Sequence, residues 1–110
     1  MTEANIKASI KRYLDKYECM HFVYNPFMGG CAGIPDRVVL APGYPSIWLE
    51  VKREGKEPTT LQKLRISQII AAGHMATVVR SKEDVKQFFE LHNIKLSKKG
   101  ETNGPRNQKK

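Results

Sequence analysis

Two short stretches hold the side chains most able to do chemistry: Gly33-Ile34-Pro35-Asp36-Arg37 and Glu50-Val51-Lys52, with Glu50 fourteen positions after Asp36. Asp36 stands where a glycine-rich loop meets an apolar run, Val38-Val39-Leu40. Glu50 and Lys52 lie inside a second one, Ile47 to Lys52. Strand side chains alternate faces, so Glu50 and Lys52 project to one side, together with Trp48. If the two runs pair, two carboxylates and an ammonium meet at the edge of one sheet. Two carboxylates about 4 Å apart repel by roughly 4 kcal/mol at an effective dielectric near 20. A divalent cation between them reverses the sign, so the pattern points to a metal site. An exposed Glu50–Lys52 ion pair is the plainer alternative, and the apolar setting of the strand argues against it.

The elements that must position these groups are legible from periodicity. Thr2 to about Glu18 has Ile6, Ile10, Tyr13, Leu14 and Tyr17 at helical spacing, with Lys7, Lys11, Arg12 and Lys16 mostly elsewhere. Glu3 falls on the apolar stripe, where a carboxylate near a helix N-terminus is also favoured by the macrodipole alone. Cys19–Tyr24 reads as a first strand. It leads into Asn25 to Gly33, a loop with three glycines and one proline that lacks the Gly-Lys-Ser/Thr of a phosphate-binding P-loop. Pro35–Leu40 and Ser46–Arg53 are the second and third strands. The turn Ala41-Pro42-Gly43-Tyr44-Pro45 makes an antiparallel hairpin of them. Thr59 opens a helix that runs to about Ala72, with Gly73 as its stop. Gln62 fits a capping box with Thr59, yet it shares a stripe with Ile66 and Ile69 and so also faces the sheet. Met75–Arg80 is a fourth strand and Ser81 to about Asn93 a third helix, anchored by Phe88 and Phe89. The order is αβββαβα: a mixed four-stranded sheet flanked by helices, an α/β architecture.

Composition sets the bounds. The chain of 110 residues, 40% hydrophobic and 27% charged, suits one globular domain, expected over residues 1–96. Residues 97–110 form a polar basic tail, expected to be disordered. No apolar run is long enough to span a bilayer, and the start Met1-Thr2-Glu3 is not a basic-then-apolar leader. A cytoplasmic location is therefore expected. Two cysteines and three histidines have neither disulfide-framework nor zinc-ligand spacing. The net charge of +8 points to an acidic partner, most simply nucleic acid. The tail holds five Lys/Arg against one Glu, so half of that excess lies outside the expected domain.

Pro35-Asp36 followed by Glu50-Val51-Lys52 in this element order resembles the PD-(D/E)XK nuclease superfamily and its restriction-endonuclease-like core. The full Gly33–Arg37 form, the helical Glu3 and Gln62 at the start of the next helix make the chain similar to the VRR-NUC family, at the size of its stand-alone phage members. The resemblance spans roughly residues 3–92. It implies Mg²⁺- or Mn²⁺-dependent hydrolysis of phosphodiesters. Asp36, Glu50 and the Val51 carbonyl would be metal ligands and Lys52 would orient or activate the attacking water. Glu3 would be an auxiliary acid acting through water, and Gln62 would steady the site. It further allows a homodimeric Holliday-junction resolvase of phage replication or repair.

The basic residues Arg37, Arg53, Lys56, Lys63 and Arg65 flank the site in sequence and are the candidates for contacts to DNA phosphates, which position a duplex without reading its sequence. No recognition-helix pattern is evident, so selectivity for branched or otherwise structured DNA is expected over sequence specificity. The competing reading is a nucleic-acid-binding accessory that does not cut; loss of one acid or of the lysine would favour it, and all are present.

Overall fold

Hydroxyl side chains open each helix of the computed structural model, which describes residues 1–25 and 30–100. Thr2 caps α1 (Glu3–Leu14) by accepting from the Asn5 amide, Thr59 caps α2 (Thr60–Ala71), and Ser81 caps α3 (Lys82–Leu91). Each such oxygen satisfies an amide that has no partner within the helix. Between them lie β1 (Met20–Val23), β2 (Arg37–Leu40), β3 (Ile47–Val51) and β4 (Met75–Val79). The order is the αβββαβα expected from periodicity.

The sheet runs β1-β2-β3-β4, antiparallel between the first three strands and parallel between β3 and β4. A six-residue connection suffices for the β2–β3 hairpin, whereas the parallel pair needs a crossover, which α2 supplies. β3 is covered on both faces, with Glu50 buried and Trp48 half-buried on the side opposite the core. Ile47, Leu49 and Val51 are fully covered and join Ile6, Ile10 and Leu14 of α1, Val39 of β2, Val79 of β4 and Val85 and Phe89 of α3 in one core. Thus α1 and α3 pack on one face of the sheet.

The other face carries Trp48, Glu50 and Lys52 and is covered by α2, which packs chiefly on β4. No residue of α2 is fully buried. Between it and β3 runs a cleft of about 280 Å³ lined by Trp48, Arg65, Gln68, Ile69 and His74. The α2 side of the molecule is therefore open where the core side is closed.

Two boundaries differ from expectation. The first helix ends at Leu14, with Asp15 as its C-cap, not near Glu18. Residues 16–18 instead pair with the chain after α3: the Glu18 amide donates to Ser97 O at 2.8 Å and the Lys99 amide to Lys16 O at 2.8 Å. Residues 97–100, assigned by composition to a disordered tail, are in this way tied to the domain. Residues 101–110, and Pro26 to Gly29 of the glycine-rich loop, lie outside the described residues.

Candidate active site

Register brings the two carboxylates together. In the β2–β3 pair Arg37 is opposite Leu49, so one further step sets Asp36 across from Glu50, at the separation where cross-strand side chains interact. Asp36 is held by its backbone at the mouth of β2, its carbonyl accepting from the Tyr24 amide at 2.8 Å. Gly33, three residues earlier, has φ +82°, and a Cβ there would lie 2.6 Å from Leu61 Cγ on α2. Only glycine lets the loop press against that helix before delivering Asp36 to the sheet. The loop is also pinned by Arg65, whose Nε donates to Ala32 O at 2.9 Å.

Glu50 is only 5% exposed. Burial, together with the neighbouring Asp36 charge, pushes its carboxyl up to about 7, against the opposing pull of Lys52. Lys52 follows β3, with Nζ 3.7 Å from Glu50 Oε2, and its amide donates to Val79 O at 3.0 Å, which extends the parallel ladder. Gln62 does both jobs that the sequence allowed. Its Oε1 accepts from the Thr59 amide at 2.8 Å to complete the capping box, while Nε2 donates to Glu50 Oε2 at 3.4 Å. The Val51 side chain is buried on the core face.

Glu3 is linked to Asp36 through Lys7, and its charge adds to the rise of the Glu50 pKa. Its carboxylate lies 3.2 Å from Lys7 Nζ, and the same ammonium lies 2.9 Å from Asp36 Oδ2. Burial works to lower the Lys7 pKa, but the bonds to Asp36 and Glu3 outweigh it and hold the ammonium above its usual value. Helical spacing alone sets Lys7 with Lys11, Arg12 and Lys16, mostly off the apolar stripe. The signal for its position was its i, i+4 relation to Glu3, the preferred orientation of such a pair.

The basic residues divide. Arg53, Lys56 and Lys63 are exposed, and Arg65 is partly spent on Ala32 and on Gln68 Oε1, the latter at 3.0 Å. Arg37 is buried at 7% exposure, with Nη1 2.9 Å from His21 Nδ1, while His21 Nε2 is 2.7 Å from Asp15 Oδ1. Burial draws the Arg37 pKa down, though a guanidinium keeps its charge at any relevant pH. Arg37 thus ties β2 to β1 and to the end of α1 and presents little of itself to a ligand. Strand alternation held the clue, since Arg37 shares the inward face of Val39.

The donor set suits a hard divalent cation. Asp36 Oδ1 is buried without a hydrogen-bond partner, an arrangement that a protein interior rarely tolerates unless the oxygen has another function. It lies across from a carboxylate whose charge is disfavoured by its surroundings. Among the described residues no cluster of three or more His, Cys, Asp or Glu side chains forms a ready-made cage. Two carboxylates are nevertheless enough for Mg²⁺, which keeps several of its waters.

No family model matches the chain. Over 54 residues it is 35% identical to "Putative nuclease p44" of Acyrthosiphon pisum secondary endosymbiont phage 1, a match that covers 49% of this chain and 58% of that protein. Two solved structures, a VRR_NUC domain protein and a VRR_NUC domain, superpose with a TM-score of 0.67 and 22% sequence identity. They cover 82% of this chain and 86% and 96% of theirs. The chain therefore has the VRR-NUC fold, in agreement with the resemblance carried by its motifs. Among the described residues no helix is long and apolar enough to cross a membrane.

Proposed function

We propose that this VRR-NUC-fold chain is a divalent-metal-dependent nuclease that hydrolyses DNA phosphodiesters. The observation that carries the reading is the bare, buried Asp36 Oδ1 opposite Glu50, whose carboxyl is raised to about 7. Asp36, Glu50 and the Val51 carbonyl would hold Mg²⁺ or Mn²⁺, with Glu3 contributing through water. Such an ion, when bound, polarises the phosphate and makes a coordinated water more acidic.

The chain's own residues supply the remainder. Lys52, 16% exposed at its side chain and beside Glu50, is in position to orient the attacking water and to offset charge gathering on the phosphate oxygens. Gln62 fixes the Glu50 carboxylate from α2 through its 3.4 Å contact. Exposed Arg53, Lys56 and Lys63 are the groups available to hold flanking phosphates, which gives binding that is salt-sensitive and indifferent to sequence.

Action on branched DNA as a homodimeric resolvase of phage replication or repair is the finer form of this proposal. Only its dimeric part has a structural argument, the edge strand β1, whose Met20, Phe22 and Val23 are 63%, 43% and 60% exposed. An uncovered apolar edge of that kind is a usual site of association between chains.

The test is incubation with fluorescent branched, flapped and linear DNA in Mg²⁺, Mn²⁺ or EDTA. Cleavage that requires metal and disappears in folded Asp36→Ala and Lys52→Ala supports the reading. Binding without cleavage in every metal condition overturns it in favour of a non-cutting DNA-binding accessory. A sedimentation mass of one chain at micromolar concentration, with and without branched DNA, would refute the dimer alone.

A further inference from the structure

Lys7 already occupies the position of a cation at this site. Its Nζ stands 2.9 Å from Asp36 Oδ2 and 3.2 Å from Glu3 Oε2, and so neutralises the acid that stands across from Glu50. The contact is not forced by burial, because the Lys7 side chain is 42% exposed. A four-carbon stem at that exposure can swing toward solvent while its partner at i−4, Glu3, keeps it tethered to α1.

We propose that Lys7 is a built-in counter-cation that competes with the divalent metal. Its ammonium satisfies Asp36 while the site is empty and must withdraw from Asp36 for a metal to bind, so Lys7 weakens metal affinity and stabilises the metal-free chain. This rests on the metal-site reading above. Two electrostatic facts carry it. A monovalent ammonium and a divalent ion that share one carboxylate repel each other. Without either, Asp36 loses its nearest counter-charge and only Lys52, on the Glu50 side, offsets the facing carboxylates. Glu3 gains a definite role as well, as the holding point for Lys7 in both states. That accounts for its place on the inward stripe of α1.

The experiment is calorimetric titration of MnCl₂ into the metal-stripped full chain at pH 8, for wild type, Lys7→Met, Lys7→Gln, Lys7→Arg and Asp36→Ala. Thermal melts in EDTA and in excess Mn²⁺ accompany it. Lys7→Met and Lys7→Gln should bind Mn²⁺ about tenfold more tightly than wild type, the order expected on removing one nearby positive charge from a partly exposed site. Both should melt lower than wild type in EDTA and recover most of the difference in Mn²⁺. Lys7→Arg should stay close to wild type in affinity.

Affinity in both neutral variants that equals or falls below that of wild type overturns the proposal and leaves the metal site standing. Failure of wild type and both neutral variants to bind Mn²⁺ more tightly than Asp36→Ala overturns the metal-site reading together with it. Two neutral replacements guard against one that does not fold, and near-ultraviolet circular dichroism identifies such a case.

Discussion

Replacing Glu50 by glutamine should make the metal-free protein more stable, and only at pH values where the carboxylate would be charged. The carboxyl is raised from an ordinary 4.5 to about 7, by burial first and by Asp36 second. A group whose pKa is raised on folding holds its proton better in the folded state. Its contribution is complete below about 4.5 and is lost as pH rises through about 7. The interval corresponds to on the order of 3 kcal/mol. Glutamine keeps the shape of the protonated acid without ever ionising. It should therefore stay within about 1 kcal/mol of wild type at pH 5, and exceed it by about 2–3 kcal/mol at pH 8. In a domain of this length each kcal/mol shifts Tm by about 4 °C, so the gap at pH 8 should approach about 10 °C. The assay is a set of thermal melts in EDTA at pH 5, 6.5 and 8. A Glu50→Gln protein that melts at or below wild type at pH 8, or one with the same difference at every pH, would refute the reasoning that Glu50 is held against its own charge.

Other outcomes follow from the same geometry. Binding of Mg²⁺ at pH 6 to 6.5 should release close to one proton, because much of Glu50 is protonated there and a ligand must ionise; titrations in buffers of different ionisation enthalpy would show it, and no release at that pH would contradict it. Gly33→Ala forces a side chain at φ +82° and against Leu61. In denaturant unfolding it should cost clearly more than Gly55→Ala, where the φ is as positive but nothing lies within 4 Å, so that only the backbone term of about 1 kcal/mol remains. Arg37→Met should lower the melting temperature without changing the salt dependence of DNA binding. Arg53→Ala should leave stability within about 0.5 kcal/mol and reduce the salt slope by roughly one. Equal behaviour of the two arginine variants would show that burial does not separate their roles.

Much of this arrangement was legible in the chain because it depends on short-range rules. The β2–β3 hairpin follows from a short turn between apolar runs, and its register is what sets Asp36 opposite Glu50. Gln62 was visible both as a cap and as a stripe residue, and it is both. What was not legible depends on tertiary partners. Lys7 looks like any other lysine of α1 until Asp36 arrives from 29 positions away. Arg37 beside Asp36 reads as a phosphate contact until β1 brings His21 beneath it. The end of α1 is set by pairing of residues 16–18 with residues 97–99, across nearly the whole chain, and no local signal announces that.

On the proposed function, the acid pair is kept to hold a catalytic metal, at a cost in stability to the metal-free chain. The most direct test sets wild type and Glu50→Gln side by side on one labelled branched DNA in Mg²⁺ and in Mn²⁺, with the strands resolved on a denaturing gel. The expected result is cutting by wild type and none by Glu50→Gln, although the variant is the more heat-resistant of the two in EDTA. Equal cutting by both, or no cutting by wild type in either metal, would contradict a metal-holding role for the Asp36–Glu50 pair.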